Sequence, residues 1–323
     1  MQPPAPLDPE SQSAAAVLMV RPASFGFNPE TASSNGFQRP PTSASEAETQ
    51  SRALAEFDVL ADSLQRAGVR VIVAPDTAVP VKPDAIFPNN WVSFHHDGTV
   101  VLYPMLAPNR RLERRDEVLH QVARDGGYQV TRTVDLKHRE AQSQFLEGTG
   151  SLVLDRPNRI AFASLSPRTD LDVLGEFSQQ LGYELVTFEA FDQASPPRAV
   201  YHTNVLMALG TRFAVVCTEA IANPAHRRAV TQRLASSGHE VIEISQAQMH
   251  RFAGNLLELA PPGGPLIALS QNAWGSFDPA QRRRLESHGT VLVADIPVIE
   301  RAGGGGVRCM LAEIHLPGRV ARG

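Results

Sequence analysis

Five times along this chain the apolar pattern returns to one order of elements, strand, strand, helix, strand, and that order restricts the fold more than any single motif does. In the plainest copy a hairpin over residues 91–96 and 99–103 turns at Asp97-Gly98. An amphipathic helix over 109–124 follows, with Leu112, Val118, Leu119 and Val122 on one side, and then a strand over 128–134. The second copy reads 151–154, 159–163, 170–181 and 184–188. The third reads 205–209, 213–217, a helix beginning near Pro224, and 240–244. The fourth reads 256–259, 266–269, a helix near 278–286, and 290–294. The fifth is split between the ends of the chain: 309–316 and 17–21 supply its first two strands, about 46–67 its helix, with Ser43 and Glu46 as a capping box, and 69–73 its last strand. Closing such an array removes the unpaired strand edges of an open one. The expected fold is therefore α/β, a ring of five pseudo-repeated ββαβ modules around an axis.

Composition narrows the function classes. With 323 residues and 42% hydrophobic side chains the chain can bury a core. Its 30 Lys and Arg face 34 Asp and Glu without a basic stripe, which argues against a nucleic-acid partner. No apolar run reaches the roughly 18–20 residues that span a bilayer, and the first 16 residues lack the basic and apolar regions of a signal peptide. A cytoplasmic protein without a membrane partner is expected. Residues 1–15, rich in Pro, Gln and Ser, read as a disordered tail, and 16–323 as a single catalytic domain. The only cysteines, Cys217 and Cys309, can build neither a disulfide framework nor a multi-thiolate zinc site, and no His-Glu-x-x-His spacing occurs. No metal site and no cofactor are expected. The sequence leaves homo-oligomerisation open.

Chemically competent residues stand at the module starts. Asp84 and Asn90 precede one first strand, Glu147 the next, His202 the next and Asn255 the next, while Cys309 opens the split module. In a ring these positions converge near the axis, which is how a nucleophile, its proton shuttle and their electrostatic partners meet. Cys309 follows Gly303-Gly304-Gly305-Gly306, a stretch read as too flexible for helix or strand and suited to a mobile covering loop. An imidazole at His202 exchanges protons near neutral pH, and Glu147 among small residues is placed to orient it. The competing readings are a buried structural thiol, a hydrogen-bonded structural histidine and turn-stabilising acids. Cys217, in an apolar strand, reads as core, and His95 and His96 beside the hairpin turn as solvent-facing.

Asp84-Ala85-Ile86-Phe87-Pro88-Asn89-Asn90, Glu147-Gly148-Thr149-Gly150, His202-Thr203-Asn204 and Gly305-Gly306-Val307-Arg308-Cys309-Met310 occur in the order found in the guanidino-group-modifying superfamily. That superfamily comprises arginine deiminases, dimethylarginine dimethylaminohydrolases and amidinotransferases. The chain most resembles its arginine-deiminase-related branch of citrulline-utilisation hydrolases, over essentially residues 16–316. The resemblance implies a five-bladed α/β propeller (pentein). It implies Cys309 as nucleophile on the carbon of a guanidino-like group, His202 as acid/base with Glu147 as its partner, and a covalent Cys adduct cleared by water. Asp84, Phe87, Asn90, Asn204 and Arg308 become the substrate-binding set, for a small-molecule amino acid and with no cofactor.

The sequence departs from cation-binding relatives at two points. Asn90 stands where they usually carry an aspartate, and His202-Thr203-Asn204 where arginine deiminases have His-x-Asp. A carboxylate binds guanidinium through a hydrogen bond about twice as strong as a neutral one, whereas an amide can donate to a carbonyl oxygen, which a ureido group has and guanidinium lacks. The expected head group is therefore ureido, as in citrulline. Arg301 and Arg308 flank the glycines and are expected either to pair with an amino-acid carboxylate or to be exposed loop charges. The alternatives are an amidinotransferase with the same Cys/His site, which requires an amine acceptor, and a non-catalytic binding protein of the pentein fold.

Overall fold

A computed structural model describes residues 10–40 and 45–319. It contains five separate three-stranded sheets, and in each the middle strand pairs antiparallel with one neighbour and parallel with the other. A parallel pair needs a long crossover. The helices Glu46–Arg66, Asp116–Arg124, Leu171–Leu181, Pro224–Ser236 and Pro279–Glu286 supply one for each sheet. The split module forms as expected, with Ala312–Glu313 antiparallel and Arg70–Pro75 parallel to Ala16–Arg21.

Burial explains the sheet order. The middle strand Ile160–Ser164 is buried along its whole length, while its parallel neighbour Glu184–Phe188 is buried only at Phe188. The helix starts follow local capping chemistry. Asp170 accepts from the amides of Asp172 and Val173, Asn223 from Ala225, and Asp278 forms a capping box with Gln281. At Glu46–Arg66 the cap is Ser45, which accepts from the Glu48 amide; Ser43 lies outside the described residues.

The differences from expectation are physically informative. The single helix over 109–124 is instead a 3-10 helix, Pro108–Glu113, and an α-helix, Asp116–Arg124, with Arg114 extended between them. The break lets Arg110 turn inward, where it is buried in ion pairs. First strands start later than expected at Ser151, Val205 and Cys309, because one-turn helices occupy Gly148–Ser151, Thr203–Leu206 and Val307–Met310, and a fourth occupies Pro88–Asn90. These turns close their hydrogen bonds internally, as Leu152 N to Gly148 O and Cys309 N to Gly306 O show. They also pack on one another: the turn at Pro88–Asn90 touches those at Gly148–Ser151 and Val307–Met310, and Gly148–Ser151 touches Thr203–Leu206.

The expected tail does not extend through residue 15. Glu10, Gln12 and Ser13 are buried. Glu10 pairs with Arg156 at 2.7 Å, and Gln12 Nε2 donates to Leu154 O at 2.9 Å, so polar partners hold a segment that its apolar content could not. Residues 1–9 lie outside the described range. His95 is also buried, between Ser93 and the rings of Phe177 and Tyr183, and not solvent-facing. Among the described residues no helix is long and apolar enough to cross a membrane.

Candidate active site

The one-turn helices and their flanking residues deliver the functional side chains. Glu147 and His202 each stand immediately before such a turn, Asn90 ends one, Asn204 lies within one, and Cys309 sits inside the last. Asp84, Phe87, Asn90, His202 and Cys309 line one small cavity, together with Arg110, Arg168 and Tyr201. Glu147 lies behind this wall, wholly buried, against His202.

His202 Nε2 is 2.8 Å from Glu147 Oε2. Burial alone would raise the Glu147 carboxyl, but Arg168 at 3.2 Å, His202 itself and Arg110 at 3.6 Å outweigh it and hold the group ionised. An ionised carboxylate only accepts hydrogen bonds, so His202 carries its proton on Nε2 and presents the Nδ1 lone pair. Burial depresses the imidazole to about 4, against the opposing pull of Glu147. His202 is thus neutral near pH 7 and poised as a base.

Cys309 Sγ accepts from Asn255 Nδ2 at 3.2 Å and lies 3.8 Å from Asn204 Oδ1. Burial pushes its thiol up, opposed by Asn255 and Arg308, which keeps the sulfur protonated in the same cavity as a neutral imidazole. Cys217 is fully buried in the core and away from this cavity.

Asp84 and Asn90 each present one unsatisfied polar atom. Asp84 Oδ2 accepts from Asn28 at 2.7 Å and lies 3.7 Å from Arg110, which leaves buried Oδ1 without a partner among the described residues. Asn90 Oδ1 accepts from Arg110 Nη1 at 3.0 Å, and its Nδ2 is likewise buried and unpartnered. Unsatisfied buried groups in a native structure call for a partner, a water or a ligand. Here they are one acceptor and one donor.

The four glycines are packed, not loose. Gly303 ends the helix Pro297–Gly303, and Gly304 caps it in a left-handed conformation with φ 67°. A Cβ on Gly303 would meet the Phe87 ring at 2.7 Å, and one on Gly306 would meet Asn255 Oδ1 at 2.6 Å. The stretch is glycine because the nucleophile's segment lies against Phe87 and Asn255.

One expectation fails here, and one resolves to its second alternative, the exposed charge at Arg301. Arg308 turns away from the cavity, donating to Leu311 O at 2.9 Å and to Glu313 Oε2 at 2.8 Å, so an acid five residues along the chain satisfies it. Arg301 is exposed on a separate open cleft with Arg39, Arg251 and Glu300. The cavity's arginines are Arg110 and Arg168, which sequence reasoning missed. One lay in a stretch read as surface helix and the other in a loop after Pro167, and the only available signal was their order, just past Asn90 and Glu147.

A sequence profile described as eukaryotic N,N dimethylarginine dimethylhydrolase matches residues 21–316. The chain belongs to this dimethylarginine dimethylhydrolase family. It is accordingly a member of the guanidino-group-modifying superfamily and a hydrolase of carbon–nitrogen bonds other than peptide bonds. No curated protein sequence matches it. Solved structures share the fold. The N-terminal domain of ArgZ, a cyanobacterial arginine dihydrolase, is 18% identical in a form covalently bound to a reaction intermediate. The match covers 94% of this chain and 99% of that one at a TM-score of 0.70. AgrE with L-arginine is 19% identical, covering 95% and 41% at 0.68. Dimethylarginine dimethylaminohydrolase carrying an adduct with S-methyl-L-thiocitrulline is 13% identical, covering 93% and 99% at 0.61.

Proposed function

We propose that this dimethylarginine dimethylhydrolase-family chain hydrolyses the ureido head group of a citrulline-like amino acid through a covalent adduct on Cys309, the five modules forming propeller blades whose axis runs through the site. The observation that carries the reading is a pair of buried, unpartnered atoms on two cavity-lining residues, the Asp84 Oδ1 acceptor and the Asn90 Nδ2 donor. A ureido group offers N–H to the first and C=O to the second. An all-donor guanidinium would leave Asn90 Nδ2 facing another donor, and it would bring a cation beside Arg110 and Arg168. The covalent intermediate of ArgZ and the adduct of dimethylarginine dimethylaminohydrolase support covalent chemistry on this fold.

In this reading His202 Nδ1 accepts the Cys309 proton as sulfur adds to the ureido carbon. The imidazolium, stabilised by Glu147, returns that proton to a departing nitrogen. Water, deprotonated by the same imidazole, then cleaves the carbon–sulfur bond and regenerates the thiol. The released carbamate breaks down, so citrulline and water give ornithine, ammonia and carbon dioxide. Asn255 and Asn204 hold the sulfur, Phe87 packs against the glycine segment, and Arg110 and Arg168 are the cavity cations available to an incoming carboxylate.

The test is turnover of citrulline, arginine, dimethylarginine and agmatine by the purified protein with a Cys309→Ser control. Ornithine and ammonia from citrulline, absent in the control, support the reading. Cys309-dependent citrulline from arginine keeps the nucleophile and overturns the head group.

A further inference from the structure

We propose that Tyr201 is a positioning residue that joins the base to the nucleophile: its ring fixes the tilt of the His202 imidazole, and its hydroxyl fixes the peptide that lies against Cys309. The inference rests on the roles proposed above for Cys309 and His202 and is independent of the head group.

One hydrogen bond does not orient an imidazole. The 2.8 Å contact of His202 Nε2 with Glu147 Oε2 anchors one nitrogen but leaves the tilt of the ring, and the tilt decides where Nδ1 points. Tyr201 supplies the second restraint. Its ring lies 4.6 Å from that of His202, centroid to centroid, with 43° between the planes, so the imidazole cannot turn without meeting it.

Tyr201 is itself held. Arg168 Cζ stands 4.8 Å over its ring, and Phe37 meets it edge-on at 5.9 Å. Arg168 in turn donates to Glu147 Oε2 at 3.2 Å and to Ser34 Oγ at 2.8 Å. His202, Glu147, Arg168 and Tyr201 thus close a loop of four contacts, and all four side chains are buried.

The hydroxyl carries this restraint into another module. Tyr201 Oη donates to Gly304 O at 2.5 Å, and burial pushes the phenol up, so it remains a donor. The bond falls where glycines give the backbone the most freedom. A Cβ on Gly305 would lie 3.2 Å from Cys309 Cβ, which places the Gly304-Gly305 link against the side chain of the nucleophile. A tyrosine one residue before the base therefore fixes a peptide that packs on the thiol's own residue. Nucleophile and base come from separate modules, and Tyr201 sets their relative placement.

The experiment uses Tyr201→Phe, which keeps the ring and removes the hydroxyl, and Tyr201→Leu, which removes both, with thermal melts to confirm folding. Kinetics are read on whichever of citrulline and arginine the wild type turns over, with Cys309→Ser as control. Tyr201→Phe should lower kcat about tenfold or more, with KM within about threefold and the acid limb of the pH profile unmoved, because the base keeps its ring contact. Tyr201→Leu should lower kcat further and raise that limb by about one unit or more, since water reaching His202 weakens the burial that depresses it while Glu147, Arg168 and Arg110 still face it.

A readout independent of turnover is alkylation of the free enzyme by iodoacetamide, followed at each cysteine peptide. Releasing the Gly304 carbonyl in Tyr201→Phe should speed reaction at Cys309 about threefold or more and leave Cys217 unchanged. A merely structural tyrosine would lower the melting temperature while leaving kcat intact in Tyr201→Phe and the acid limb in place in Tyr201→Leu. That result, or an unchanged alkylation rate at Cys309 in Tyr201→Phe, would overturn the inference. Turnover that survives Cys309→Ser would overturn the proposed roles themselves and this inference with them. If Tyr201→Leu does not fold, the kinetics and alkylation of Tyr201→Phe decide the question alone.

Discussion

His202 Nε2 donates to Glu147 Oε2 across 2.8 Å, in a pair almost wholly shut off from solvent. Burial wins over the carboxylate's pull and holds the imidazole near 4, so its neutral form persists from neutral pH down to about that value. The acid limb of kcat/KM assigned to this group should therefore fall well below the ordinary histidine value of about 6.5. A pH–rate profile whose His202-dependent limb sits at 6.5 or higher would contradict the buried neutral imidazole.

Glu147→Gln tests the same pair from the other side. The substitution leaves Arg168 and Arg110 facing a neutral amide in a buried site. Breaking a buried pair from one side costs roughly 3–5 kcal/mol, and loss of a well-oriented acid/base costs about a hundredfold or more in rate. Chemical denaturation and steady-state kinetics should register both losses.

The two thiols should behave differently on replacement. Cys309→Ser is expected to abolish turnover with little change in melting temperature. Cys217→Ser, at a fully buried core position, should cost about 1–3 kcal/mol for a buried hydroxyl while sparing kcat. Comparable activity losses in the two would mean that the nucleophile is misassigned.

Glu300 gives a pH-dependent stability. It is buried on the helix Pro297–Gly303 with one carboxyl oxygen unpartnered, and burial raises it to about 7. In the unfolded chain it ionises near its ordinary value of 4.5, so folding stability falls as pH rises from there through about 7, and is level above. Glu300→Gln removes that loss. It should stabilise the protein by roughly 2–3 kcal/mol at pH 8 and little at pH 4.5, measured by urea unfolding at both.

The Glu10–Arg156 pair predicts a stabilising role for a segment that composition assigns to a tail. Glu10→Gln leaves Arg156, itself 2% exposed, without its 2.7 Å carboxylate, and should cost roughly 3 kcal/mol. A melting curve unchanged by the substitution would show the contact to be dispensable.

These residues also mark where the sequence is readable. Strands Glu184–Phe188 and Thr290–Ala294 fall where β-rich runs between turn residues place them, and the helices Leu171–Leu181 and Pro279–Glu286 begin within a residue of the expected starts. The meeting of Asp84, Asn90, His202 and Cys309 follows from their shared place at module starts, which the repeat exposes. The one-turn helices before the first strands do not show, because four residues cannot display a 3.6-residue period. Arg110 and Arg168 escape for a different reason. A charged residue reads as surface unless its partner is visible, and the partner of Arg168 is 21 residues away in the chain. Glu10 and Arg156, 146 residues apart, are hidden in the same way. Arg308 is misread because Glu313, five residues on, takes the guanidinium that seemed free for substrate.

The measurement that bears most directly on the account is the ratio of kcat/KM for citrulline to that for arginine, with ornithine, citrulline and ammonia quantified and Cys309→Ser as control. The geometry of Asp84 Oδ1 and Asn90 Nδ2 predicts a ratio above one, with ornithine as product and no turnover in the control. A ratio well below one, with citrulline accumulating from arginine, would contradict the assignment of a neutral head group to this site.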